Sequence, residues 1–204
     1  MNPPDNTQDY LLHRSQGCAI LTLVSPDGAN ILTLARVRAL HAAVQNFLPE
    51  AESGQLKALI ITGNEKFFSA GADLNEIARL TAPKAFEFSK AGQHLTSALA
   101  SFPVPVFAGI RGYCMGGGMD LALACHARIA APNAVFGHRG TSLGLITGWG
   151  GTQRLPRLIG KANAMQMFLL AEMVAAPKAL EVGLVDAICT DPIHEALARA
   201  LRDA

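Results

Sequence analysis

Val104-Pro105-Val106-Phe107-Ala108-Gly109-Ile110-Arg111-Gly112-Tyr113-Cys114-Met115-Gly116-Gly117-Gly118-Met119-Asp120 is the stretch on which the reading of this chain turns. Residues 104–110 form an apolar run of strand length, and a glycine cluster then leads into an apolar helix over about 118–125. Pro103 and Pro105 place that strand at a sheet edge or give it an irregular approach, since proline cannot donate to a ladder. Three consecutive glycines at a helix start leave backbone N–H groups that a ligand oxygen can approach closely. The helix dipole favours an anion there, or an oxygen gaining negative charge. Asp120 lies three residues beyond Gly117, in the first helical turn. Read locally, the same pattern serves close packing and a helix-stabilising acid equally well. It is neither a dinucleotide fingerprint, because G-x-G-x-x-G is absent, nor a P-loop, because Gly160-Lys161 is followed by Ala162.

Outward from this stretch, strands and helices alternate. Residues 19–24 and 56–62 are apolar strands, the first closed by a turn at Pro26-Asp27-Gly28. Leu34, Val37, Leu40 and Ala43 recur at helical spacing behind Thr33, a suitable N-cap. Pro83 suits the first turn of a helix that runs through Phe88, Leu95 and Leu99 to Phe102. Short strands at 127–131 and 134–136 precede a glycine-rich loop over 137–151, and helices are expected at 151–158 and 161–171. A helix from Pro177, a strand over 184–189 and a helix from Pro192 complete the chain. The alternation predicts an α/β fold in one domain, residues 1–204, with its core at about 10–190 and a short terminal helix at 192–202.

The chain has 204 residues, of which 50% are hydrophobic and 16% charged, with 17 Lys and Arg against 16 Asp and Glu for a net charge of +1. That length suits one domain of roughly 100–200 residues, and so apolar a chain can bury enough surface to offset its ordering entropy. The balance lacks the basic stripe of a nucleic-acid protein. A small charged surface invites a subunit contact. Cys18, Cys114, Cys125 and Cys189 are far apart, without C-x-x-C spacing, so neither a metal site nor a disulfide scaffold is expected. Free thiols fit a reducing cytoplasm. Residues 1–10 carry no basic residue and resemble neither a signal nor a transit peptide. Residues 91–110 lack Lys, Arg, Asp and Glu over a membrane-spanning length. They include Gln93, His94, Pro103 and Pro105 and divide into a helix and a strand, so no membrane span is expected.

A second small-residue loop, Phe67-Phe68-Ser69-Ala70-Gly71-Ala72-Asp73-Leu74, follows the strand ending at Thr62. It could bring another backbone N–H to the same oxygen, forming an oxyanion hole, where each donor is worth about 2.7–4 kcal/mol. Nothing local requires the two loops to meet, and Asp73 reads as a helix cap. Trp149 suits either an acyl pocket or a core or subunit contact. Met115, Met119, Met165, Met167 and Met173 read as core, and His94 as a surface or packing residue.

Taken together these residues resemble the crotonase superfamily, the enoyl-CoA hydratase/isomerase family. The resemblance is carried by Ser69-Ala70-Gly71-Ala72-Asp73-Leu74, by residues 105–118, by Phe136-Gly137 and Gly144, by Gly150-Gly151-Thr152-Gln153-Arg154-Leu155 and by Gly183-Leu184-Val185-Asp186. Their order and spacing agree from about Tyr10 to the C-terminus. The resemblance implies a spiral of ββα units, assembly as a trimer or dimer of trimers, and an acyl-CoA thioester as substrate, with CoA arriving on the substrate and no separate cofactor or metal. By position it gives the oxyanion-hole amides to Ala70 and Gly117, CoA-binding backbone to Ala72, Asp73 and Leu74, and the catalytic acid to Asp120. It also implies that most of the usual C-terminal helical segment is missing.

The departures from the family pattern bear on chemistry. Hydratases of the family carry two glutamates; here the first is Asp120 and the second falls on Gly140, while a further acid of dienoyl-CoA isomerases falls on Gly148. Losing one acid–base group weakens catalysis by roughly 10²–10⁴-fold. The expectation is therefore an isomerase, lyase or decarboxylase that works through an enolate, rather than an efficient hydratase. One alternative lets His138 or Arg139 supply the missing group, although His138 is expected to bond backbone or face solvent. Another is a non-catalytic acyl-CoA-binding or assembly subunit.

Overall fold

Residues 9–202 are described by the structure, a computed structural model. All of 1–10 except Asp9 and Tyr10, where targeting signals were sought, lies outside the described residues. The first elements are a hairpin, β1 (Tyr10–Ser15) and β2 (Cys18–Leu23), whose turn residues Gln16 and Gly17 both take positive φ, as a tight hairpin turn requires. β3 (Ile31–Leu32) leads to α1 (Leu34–Asn46), capped by the Thr33 hydroxyl accepting from the Arg36 N–H, and to α2 (Leu48–Glu52). Next come β4 (Ala58–Thr62), β5 (Phe67–Ser69), β6 (Gly71–Ala72), the single turn α3 (Leu74–Ile77) and the long α4 (Ala82–Ala100). β7 (Val106–Ile110), β8 (Tyr113–Met115), α5 (Gly117–Ala124), β9 (Ala127–Ala130) and β10 (Val135–Gly137) follow. After a 3-10 turn (Gly140–Leu143) come α6 (Gly151–Ile159), α7 (Lys161–Leu169), β11 (Met173–Ala175), α8 (Ala176–Glu181), β12 (Ala187–Ile188) and α9 (Pro192–Arg202).

One sheet has the order β1-β2-β4-β7-β9-β12, a second β11-β10-β8-β5, and β3 pairs with β6. A single plan repeats along the chain. β4, β7 and β9 each enter the first sheet; β5, β8 and β10 then enter the second; α4, α5 and α6 return. β4 and β7 are buried along their whole length, as parallel strands covered on both faces must be. Leu59, Ile61, Val106 and Ile110 belong to a core shared with α1, α4 and α5. Ile20, Ile60, Phe107 and Ile129 form a second core with Ala196 and Ala200 of α9.

Several expectations from sequence change. β7 is interior, between β4 and β9, because Pro103 and Pro105 precede the ladder and the Pro105 carbonyl accepts from Leu59 N–H at 2.9 Å. The strand expected over 184–189 shortens to β12. Gly183 takes φ 80°, and the Leu184 and Val185 N–H groups both bond back to the Ala179 carbonyl at the end of α8. Met119 and Met167 are core, but Met165 and Met173 are about half exposed. Among the described residues no helix is long and apolar enough to cross a membrane, and no cluster of three His, Cys, Asp or Glu could hold a metal.

Candidate active site

β8 lies between β5 and β10, parallel to both, so the loops leaving all three strands converge on the N-terminus of α5. Ligands of open α/β sheets gather at such C-terminal strand ends. Gly116 turns the chain at φ 49°, ψ −116°, and its N–H donates to the Gly137 carbonyl at 2.9 Å, tying the β8 loop to the β10 loop. The β5 loop is equally close. A Cβ on Gly118 would lie 2.6 Å from Ser69 Cβ, and one on Gly71 would lie 2.7 Å from the Met115 carbonyl oxygen and 3.2 Å from Gly117 N. The two small-residue loops thus meet, which their local sequences did not require.

The amides divide by what they already bond. Ala70 N–H donates to the Ala29 carbonyl at 2.9 Å, so Ala70 is not a free oxyanion donor. Gly117 opens α5, where an N–H has no partner within its helix. Asp73 N–H donates to the Leu32 carbonyl at 3.2 Å. Successive N–H groups of an extended strand point to opposite edges, so the Ala72 N–H is turned away from β3. Asp73 also caps α3, its carboxylate accepting from Asn75 N–H at 2.8 Å and Glu76 N–H at 3.3 Å. Ala72, Asp73 and Leu74 all line a cavity of about 600 Å³, which Gly117, Asp120, His138 and Trp149 also line.

Asp120 is 1% exposed. Burial pushes its carboxyl up to about 7, against the opposing pull of the Thr147 hydroxyl on Oδ2, the Trp149 N–H and the Arg154 charge. His138 is the main surprise: it faces neither solvent nor backbone. It is 4% exposed, packed on Phe168 with ring centroids 4.9 Å apart, and its Nε2 lies 3.3 Å from Asp120 Oδ1. Burial holds the imidazole down at about 4, so it is neutral near pH 7. Asp120 Oδ1 and His138 Nε2 are both buried, and among the described residues neither makes a hydrogen bond. One proton between them satisfies both. A water between them would need a separation of roughly 5.5 Å, two hydrogen bonds end to end. At 3.3 Å the two atoms are close enough for a proton to pass directly between them.

Gly140 and Gly148 line the same cavity, and a Cβ on Gly140 would lie 2.9 Å from the Leu145 carbonyl oxygen, so the loop itself selects glycine there. Arg139 lines the cavity as an exposed residue. Trp149 is 4% exposed, belongs to the core and also lines the cavity. His94 is exposed on α4. Thr147, Phe88 and Phe168 escaped the sequence reading. Nothing in the local pattern marks them, because each reaches the site only through the packing of a distant element.

Residues 13–202 match the family model described as enoyl-CoA hydratase/isomerase. A crotonyl-CoA hydratase of Syntrophomonas wolfei is 36% identical over 185 residues, covering 89% of this chain and 69% of the relative. The structure of DspI from Pseudomonas aeruginosa superposes with a TM-score of 0.89 at 32% identity, covering 98% of this chain and 83% of that one. An enoyl-CoA hydratase from Bacillus anthracis gives a TM-score of 0.89 at 33% identity, covering 96% and 76%. Across four curated relatives the chain spans between 64% and 73% of their length. The α/β spiral is thus the crotonase fold, and this chain belongs to the enoyl-CoA hydratase/isomerase family.

Proposed function

We propose that the chain moves a proton beside the carbonyl of an acyl-CoA thioester, through an enolate, with Asp120 and His138 as the proton-carrying unit. The observation that carries this reading is the pair of buried, otherwise unpartnered atoms 3.3 Å apart at the helix N-terminus. The amides of Gly117 and Ala72 hold the thioester oxygen, and the Ala72–Leu74 segment carries the CoA end. For a 3-enoyl thioester, Asp120 takes the proton from C2, the electron pair enters the carbonyl as enolate, and the same carboxyl returns a proton to C4, giving the 2-enoyl product. An acid with its pKa near the working pH suits both halves of that exchange. A lyase or decarboxylase passing through the same enolate would also need only one such unit.

Hydration is the second reading, favoured by a relative named crotonyl-CoA hydratase. Incubating 3-enoyl- and 2-enoyl-CoA in D2O separates the two. Deuterium entering C2 and C4 with a shifted double bond supports the first, and faster formation of 3-hydroxyacyl-CoA establishes the second. Thioester binding with no turnover of enoyl, dienoyl or malonyl-type esters would make the chain a binding subunit. Apolar surface at Leu143, Ile146, Leu169 and Leu170 supports self-assembly, as a trimer or dimer of trimers. Four cysteines without disulfides fit the cytoplasm.

A further inference from the structure

Trp149 touches the acid and the helix N-terminus together. Its backbone N–H helps hold the Asp120 carboxyl down, and its carbonyl is held by the Thr96 hydroxyl at 2.8 Å and the Arg154 guanidinium at 3.1 Å. The indole leans on Phe88, with ring centroids 5.3 Å apart. On either side it meets a glycine. A Cβ on Gly92 of α4 would fall within the pyrrole edge, and a Cβ on Gly117 of α5 would lie 2.9 Å from Cε3 and 3.1 Å from Cη2. At these two positions neither α4 nor α5 contributes a side chain, and the indole occupies the space that a Cβ on either glycine would need. The same ring is a wall of the cavity.

Resting on the acyl-CoA reading above, we propose that Trp149 is the specificity-determining wall of the acyl compartment, confining the thioester to short acyl groups. A carbonyl held at the Gly117 amide starts its acyl chain within van der Waals reach of the benzo edge. Only the indole then separates that chain from the space between α4 and α5. A smaller side chain at 149 joins that space to the cavity and gives a longer acyl chain somewhere apolar to go. A methyl at Gly92 acts in the opposite direction, driving the indole towards the substrate. Discrimination of this kind is a matter of volume, and one methylene in a tight apolar pocket is worth roughly 10–200-fold.

The test measures binding, so it does not depend on which reaction is catalysed. Calorimetry with the saturated esters butyryl-, octanoyl- and dodecanoyl-CoA, and with free CoA as reference, is run on wild type, Trp149→Phe, Trp149→Ala and Gly92→Ala, with thermal melts verifying the fold of each. Wild type should bind butyryl-CoA tightest. Trp149→Ala should raise the octanoyl-to-butyryl affinity ratio about tenfold or more, with Trp149→Phe moving it less in the same direction. Gly92→Ala should weaken butyryl-CoA while leaving free CoA unchanged. An unchanged ratio in the folded position-149 variants, or wild type binding dodecanoyl-CoA as tightly as butyryl-CoA, overturns the proposal and leaves the acyl-CoA reading standing. Failure of wild type to bind any of these esters overturns both.

Discussion

Asp120 and His138 each carry an abnormal pKa for the same reason, burial, and burial moves an acid and a base in opposite directions. Between about pH 4 and 7 the folded chain keeps a proton on Asp120 that the unfolded chain has lost, so this residue's contribution to stability falls as pH rises. Between about pH 4 and 6.5 the folded chain lacks a proton on His138 that the unfolded chain holds, so this contribution rises with pH. In the wild type the two slopes oppose each other. His138→Phe should therefore become less stable as pH rises from 4 to 7, and Asp120→Asn more stable. Urea melts across that range test the signs, and two variants that keep the wild-type profile would contradict the pairing. For activity, Asp120→Asn should lower turnover by about 10²–10⁴-fold while acyl-CoA still binds. Unchanged turnover would remove Asp120 from its role.

At the scale of elements, the site depends on backbone brought closer than side chains allow. β5, β6 and the start of α5 meet through Ser69, Gly71, Gly117 and Gly118, and Gly71 both takes φ 98° and faces the Met115 carbonyl. An alanine there meets strain and overlap together. Gly71→Ala should cost about 1–3 kcal/mol, the range for a non-glycine residue forced into such a conformation. Equilibrium denaturation measures this, and a loss below a few tenths of a kcal/mol would mean that the loop relaxes freely. The beginning of α6 is built alike: a Cβ on Gly151 would overlap Asp120 Oδ1 and lie 3.1 Å from His138 Nε2. Gly71, Gly118 and Gly151 thus mark where one element's backbone presses on another element.

At the scale of the molecule, the first sheet has two cores, one shared with α1, α4 and α5 and one with α9, so its strands are covered on both faces. Outside these cores, Leu143, Ile146, Leu169 and Leu170 are each more than half exposed, on the 3-10 turn, the segment after it and the end of α7. Exposed apolar side chains of this size mark an association surface when they gather. Light scattering should give an assembly of several chains, and a monodisperse single chain would count against it. Exchanging Ile146 and Leu170 for serine should then shift the assembly towards smaller species.

The α/β class, the alternation of strands and helices, the family and the position of Asp120 are all legible in the sequence, because apolar periodicity and glycine placement are local properties. The interior position of β7 and the shortness of β12 were not, since both depend on which neighbour takes up the backbone bonds. The same holds for Ala70: it looks like Ala72 in the chain, and only the bond from its N–H to the Ala29 carbonyl shows that it is already engaged. His138 shows the limit most clearly. Its sequence context is an ordinary loop, yet the fold closes Phe168 and Asp120 around it. Burial and a neighbour 18 residues away in the chain are tertiary facts, and they set an imidazole 3.3 Å from a carboxylate that stands alone in the sequence.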